Sequence, residues 1–308
     1  MTKLQATTPS ATWPGGADAM STRKIREICA TAPSMLWLVV LLIIPTILVL
    51  TFAFKKADSM GGVGPDWTMA TLRSLSNPSY PAIIWRTIWQ SLATTAICVA
   101  LSIPMAYFMA RTGERWRRYL MVLTILPFWI CFILRVFSWM SLLHPHGFIK
   151  SALVAAGLCD PNAQLLYTSG AVLLVMVYNH LPFAILPIYA SAEKFDYQLL
   201  EAAADLGATR LTAIRRVFIP GIRAGIFAAV LMVLIPALGE YVIPDMVGGP
   251  ASEMIGNKIA QRVQNDRNLP HACALSAALM LFVLGPMLAY MFARGKGGKT
   301  KIGGSLLS

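Results

Sequence analysis

The sequence predicts an all-α, polytopic membrane protein with six transmembrane helices. Three observations predict it. The 308-residue chain is 56% hydrophobic and only 13% charged, too apolar for an ordinary soluble domain. Its apolar residues fall into separated blocks, each about as long as a membrane span. Its basic residues gather between those blocks. The net charge of +12 would suit nucleic acid only if Lys and Arg lined one face or one tail. Their placement between apolar blocks suits lipid headgroups instead, so membrane lipid is an expected partner and nucleic acid is not.

Taken in order, residues 1–30 are rich in Thr, Ser, Pro and Gly and read as a disordered tail ending in a basic patch of Arg23, Lys24 and Arg26. The block 34–54 carries no charge. It follows a long polar stretch and lacks a small-residue cleavage site, so it reads as a retained span rather than a removable signal. Between it and the next block lie a Gly-rich turn and Trp67, Trp85 and Trp89, expected at headgroup level. Block 88–110 contains Pro104; block 119–143 contains Pro127 and Arg135; block 170–192 contains Asn179, His180, Pro182 and Pro187. Block 222–243 contains Pro236 and reaches Glu240, and block 271–292 contains Gly285 and Pro286. Each has the roughly 20 residues a tilted helix needs. The prolines predict bent helices, because a membrane bundle can re-satisfy freed carbonyls. Residues 294–308 read as a solvated tail.

Loop charge sets the expected orientation. One set of flanks holds Arg111, Arg115, Arg117 and Arg118, then Lys194, Arg210, Arg215, Arg216 and Arg223, and the basic residues of both tails. The other set holds far fewer, among them Lys150, Lys258, Arg262 and Arg267. The richer side faces the cytoplasm, which places both termini and the segment 193–221 inside. Five scattered cysteines without a C-x-x-C pair predict neither a disulfide framework nor a metal site.

The segment 193–221 is polar and basic between two apolar blocks. Asp196 can cap a helix that runs through Glu201, Ala202 and Ala203, and Gly207 stands where a left-handed residue would end it. Thr209 can cap a second helix that Pro220-Gly221 would stop. The alanines leave a smooth surface, and Glu201 offers a carboxylate to a basic group. From chemistry alone, an interfacial amphipathic helix pair is an equal reading. The spacing E-A-A, three residues, Gly, nine residues, Val-x-Ile-Pro resembles the cytoplasmic loop of ABC-importer permeases, with Val217 and Ile219 where Ile and Leu are more usual. The runs around Arg135 (126–139), Asn179 (178–189) and Glu240 (238–249) resemble spermidine/putrescine permeases, in particular the first permease of putrescine systems.

That resemblance, which covers nearly all of the region from Met35 to Phe292, implies the type I ABC importer permease fold for residues 31–293, in the bacterial inner membrane. It implies that 193–221 docks on an ATP-binding subunit present in two copies, through Glu201, Ala202, Ala203, Gly207 and Pro220. It also implies a second homologous permease and a periplasmic receptor. ATP and Mg would sit on the ATPase; no Walker loop occurs here, so this chain is expected to bind no cofactor and to catalyse nothing.

Ionisable groups at membrane depth are costly and usually face a bundle interior. Arg135 and Glu240 both lie far along outward-running blocks and are expected near each other or on one aqueous cavity, as parts of an outer gate. Glu240, with Trp139, Tyr178 and Tyr241, offers charge and ring faces to a cationic substrate. The plainer reading is that Arg135 snorkels and Glu240 marks a span end. Asn179 and His180 are expected to bond a neighbouring helix, with a pathway role open for Asn179. His180 has no ligand-spaced partner, and His144, His146 and Asp160 read as loop residues, so no metal is expected. A self-sufficient secondary transporter or channel would show more mid-membrane carboxylates. An intramembrane enzyme would show a nucleophile elbow or HExxH, and neither occurs.

Overall fold

The computed structural model describes residues 16–297 apart from 59–60, 74, 76–78 and 158–159, with side chains described from 31 to 285 apart from those positions, 72 and 79. The expected basic patch at 23–26 and both tail ends lie outside the described side chains.

Helix α1 (Gly16–Phe52) forms a unit by itself as far as Thr51. Its backbone is helical from Gly16, so the expected disorder over 16–30 is replaced by helix; Ala19, Met20, Lys24 and Glu27 there are good helix formers. Thr46 and Thr51 return their hydroxyls to the carbonyls of Leu42 and Ile47, which hides polar atoms on an apolar rod.

The second unit opens with an antiparallel hairpin, β1 (Lys55–Ala57) and β2 (Val63–Trp67), which the sequence reading did not foresee. Gly61 and Gly62 at its turn have φ of +86° and +119°, accessible to glycine alone without strain. A short α2 (Ala70–Arg73) leads to α3 (Ser79–Arg111), which runs through Pro104 unbroken. Then come α4 (Glu114–Ile125), a 3-10 turn at Leu126–Trp129, α5 (Phe132–Leu143) and α6 (Phe148–Ala155). Block 119–143 is therefore not one rod: Ile130 and Cys131 are extended, and the chain turns by 91° across them. Pro127 stands in the first positions of the 3-10 turn, where its missing N–H is tolerated.

Helix α7 (Ser169–Glu193) is long and continuous despite Pro182 and Pro187. Segment 193–221 folds as α8 (Gln198–Asp205), α9 (Arg210–Ala213), a π-helical turn at Ile214–Phe218 and α10 (Ile219–Gly221). A 71° bend at Ile222 leads into α11 (Arg223–Leu238). Block 222–243 thus ends early, and α12 (Val242–Val247) follows a break at Gly239–Tyr241. A 3-10 turn at Pro250–Ser252, α13 (Ile255–Gln264) and α14 (Leu269–Gly297) complete the chain. Among the described residues, Thr31–Phe52, Tyr80–Arg111 and Ser169–Glu193 are each long and apolar enough to cross a membrane, and counting each of the two bent pairs as one span raises the number to five.

The core is α3, α7 and α11. Helices α3 and α7 run parallel: Gln90 Nε2 donates to Ser169 O at 2.9 Å near one end, and Cys98 Sγ reaches Val177 O at 3.6 Å further along. Ala106, Ala184, Ala192 and Ala229 are fully buried between the helices. Gly225 lets α11 lie directly on α7, since a Cβ there would press on the Ser191 hydroxyl and stand 2.6 Å from Pro187 O. Such close approach replaces the hydrophobic drive that helices lack in lipid.

Candidate functional site

Two regions of the second unit carry the residues singled out from sequence. The first is the loop end of the bundle. Asp196 Oδ1 accepts from Gln198 N at 3.0 Å and starts α8. At the other end Gly207, with φ of +83°, closes a Schellman motif: Gly207 N donates to Ala204 O at 2.9 Å and Ala208 N to Ala203 O at 3.0 Å. Thr209 Oγ1 then accepts from Thr212 N at 3.3 Å and starts α9. The result is helix, tight turn, helix, with Glu201 and Ala202 exposed and Ala203 half-buried. Pro220 lies inside α10, and the chain kinks two residues later, at Ile222.

Sequence reasoning passed over two features of this loop. Leu199, Leu206 and Leu211 are exposed apolar groups beside the alanines, Leu206 at 89%. Single exposed leucines are ordinary; three on one short helix pair offer apolar surface to a partner. The second feature is underneath. Phe218 is fully buried, at the end of the π-helical turn, against Tyr107 of α3 and Phe195. Burial pushes the phenol of neighbouring Tyr197 up to about 12, so it keeps its proton and donates to Ala192 O at 3.1 Å. The separation of these rings in sequence hid them. A concavity of about 410 Å³ opens here, lined by Tyr107, Arg111, Tyr197, Glu201 and Arg210 among others. Arg117 of α4 closes on Glu193 of α7 at 3.1 Å.

The second region lies toward the opposite end. Glu240 is not paired with Arg135. Its Oε1 accepts from the backbone N–H groups of Tyr241 (3.1 Å), Val242 (3.0 Å) and Ile243 (3.4 Å), capping α12. A carboxylate fits there because the first amides of a helix lack partners and carry positive partial charge. Gly256 lets α13 pass beneath, since a Cβ there would stand 2.5 Å from Glu240 O. Asn257 Nδ2 donates to Tyr241 O at 3.0 Å, tying the same break to α13.

Arg135 is buried, at 8% exposure, and so does not reach out to an interface. Its guanidinium lies 5.3 Å from the Phe128 ring and 5.7 Å from that of Phe132, and Nε and Nη1 have no hydrogen-bond partner. Trp139 and Tyr178 are brought together edge to face, 5.3 Å apart. Tyr178 also lines an apolar cavity of about 200 Å³ with Met105, Thr124, Pro127 and Pro182. Asn179 and His180 bond within their own helix rather than to a neighbour: Asn179 Nδ2 donates to Val175 O, and His180 Nδ1 meets Met176 O, each at 2.9 Å. The side chains are short enough to fold back one turn, which leaves Asn179 Oδ1 buried without a partner. His146 N contacts His144 Nδ1, and Asp160 Oδ1 accepts from Asn162 N, as turn residues do.

Residues 99–295 match the family described as binding-protein-dependent transport system inner membrane component. The chain is 34% identical over 258 residues to the spermidine/putrescine transport system permease protein PotB of Haemophilus influenzae, covering 84% of this chain and 90% of the relative. Its likeness to the protein of that name from Escherichia coli K12 is 33% over 252 residues, 82% of this chain and 91% of the relative. Among solved structures, a bacterial alginate ABC transporter in complex with an alginate pentasaccharide-bound periplasmic protein matches with a TM-score of 0.64 at 16% identity, over 90% of this chain and 96% of that one. The helical architecture, the apolar helices and these matches agree: this chain belongs to the binding-protein-dependent inner membrane component family, and it is a multi-pass inner-membrane permease subunit of an ABC importer.

Proposed function

We propose that this permease imports polyamines (putrescine, spermidine or a similar small organic cation) by alternating access. The observation that carries the substrate class is the 34% identity, across 84% of the chain, to a spermidine/putrescine permease. The chain works beside a second, homologous permease, with six spans and both termini in the cytoplasm. Segment 193–221 rests on the ATPase, through Glu201, Ala202, Ala203, Gly207 and Pro220. Its rigid caps and its exposed leucines support that reading, since a lever must be stiff and must offer a surface to grip. The two ATPase copies hold ATP and Mg; this chain binds no cofactor and no metal. ATP must favour one conformation over the other, because equal binding to both would shift nothing.

The route for the cation passes Trp139 and Tyr178, whose rings offer π faces to an ammonium group, with Asn179 presenting a free acceptor nearby in sequence. Tyr241 and Glu240 shape the far end of that route. Arg135 carries an unpaired positive charge that would repel a polyamine, so it acts in the gate rather than as a ligand contact.

The test is uptake of labelled putrescine or spermidine into proteoliposomes that contain this chain with its second permease and ATPase, and receptor outside. Expected is uptake that needs both ATP within and receptor without. Uptake driven by an ion gradient alone, with no ATPase present, would overturn the proposal in favour of a secondary transporter.

A further inference from the structure

Four rings close the joint between segment 193–221 and the bundle. Phe218 stands edge-on to Tyr107 of α3, with centroids 5.1 Å apart at 81°, and to Phe195 at the foot of α7, 5.2 Å at 83°. Tyr197 stands 5.4 Å from Phe195 and 6.2 Å from Tyr107. Arg111 donates to Tyr107 Oη at 2.7 Å, and its guanidinium lies 5.8 Å from the Tyr197 ring. Gly221 sits against this cluster without a side chain, because a Cβ there would fall on the Phe195 ring. The π-helical turn Ile214–Phe218 ends on a ring that touches both α3 and Phe195 at the end of α7. Such turns interrupt a helix where a side chain must be re-aimed.

We infer that Tyr107, Phe195, Tyr197 and Phe218 form an aromatic knuckle that carries displacement of α8 and α9 into α3, α7 and α11, so that Phe218 is a positioning residue of the transport cycle. The inference rests on the reading of 193–221 as the ATPase contact. The chain itself joins α8 to α7 and α10 to α11, but α3 comes from a distant part of the sequence. Tyr107 is where α3 meets the knuckle. Edge-to-face rings have few rotamers and a preferred geometry, and close-packed interiors transmit strain rather than absorb it. A joint of flexible side chains would let the loop move while the helices stayed put.

The experiment uses the full complex in proteoliposomes and reads cation uptake per ATP hydrolysed, with and without loaded receptor. For Phe218→Ala, hydrolysis persists while uptake per ATP falls about tenfold, a typical size for a lost coupling between sites. Tyr107→Ala behaves alike, and Tyr107→Phe, which keeps the ring, retains the wild-type ratio. Should Phe218→Ala fail to assemble, the Tyr107 pair decides: equal ratios for Ala and Phe overturn the knuckle. A wild-type ratio in Phe218→Ala overturns it too, while leaving the function of the complex intact. Absence of ATP- and receptor-dependent uptake in the wild type instead overturns the functional reading, and the knuckle with it.

Discussion

Gly207 and Glu240 both act on backbone geometry, one ending α8 and the other bonding the first amides of α12. Gly207 holds φ at +83° with open space where a Cβ would stand. Gly207→Ala therefore costs only backbone strain, about 1 kcal/mol. It should weaken ATPase docking several-fold in a pull-down of the assembled complex, and Gly207→Asn, which tolerates the left-handed region, should lose less. Glu240 accepts from three backbone amides at the start of α12. Loss of a cap costs about 1–2 kcal/mol. Glu240→Gln keeps an acceptor oxygen and should keep most uptake, whereas Glu240→Ala should lose most of it. If Gln were as damaging as Ala, the negative charge itself would be what the cation needs.

At the scale of elements, the close approach of α7 and α11 leaves no room for a side chain at Gly225. A Cβ at Gly225 would meet Ser191 and Pro187 O, while one at Gly113, before α4, meets nothing within 4 Å. Gly225→Val is expected to destabilise packing by about 1–3 kcal/mol, as overpacking does. Gly113→Ala should be neutral. Thermal melting of purified protein in detergent, followed by size-exclusion, reads both. The two broken elements tell a complementary story. The turn at 130–131 places Arg135 beside Phe128, and the break at 239–241 turns Glu240 toward α12. Each break gives its charged residue partners of its own.

At the scale of the molecule, sidedness is the property on which uptake depends. Leu206 and Gln164 are both exposed and lie near opposite ends of the bundle. With the native cysteines replaced, Leu206→Cys should react with a membrane-impermeant thiol reagent only in inverted vesicles. Gln164→Cys should react only in right-side-out cells. Reversal of that pattern would place 193–221 outside and remove the ATPase from its reach.

The sequence by itself determined what depends on near neighbours and on bulk polarity. Apolar blocks separated by basic flanks dictate a membrane bundle, because lipid forbids unpaired backbone. Asp196, Gly207 and Thr209 were legible as helix punctuation because a cap and a left-handed stop act over a few residues. Only the tertiary structure decided which proline breaks a helix. Pro104, Pro182 and Pro187 sit inside continuous helices, whereas Pro127 stands at a right-angled turn. Their chemistry is the same, and the packing around each makes the difference. Only the structure, too, set Tyr107 against Phe218 and separated the bonding of Arg135 from that of Glu240. Contacts between distant parts of a chain leave no period in its sequence; they are set by which surfaces the folded helices bring within reach.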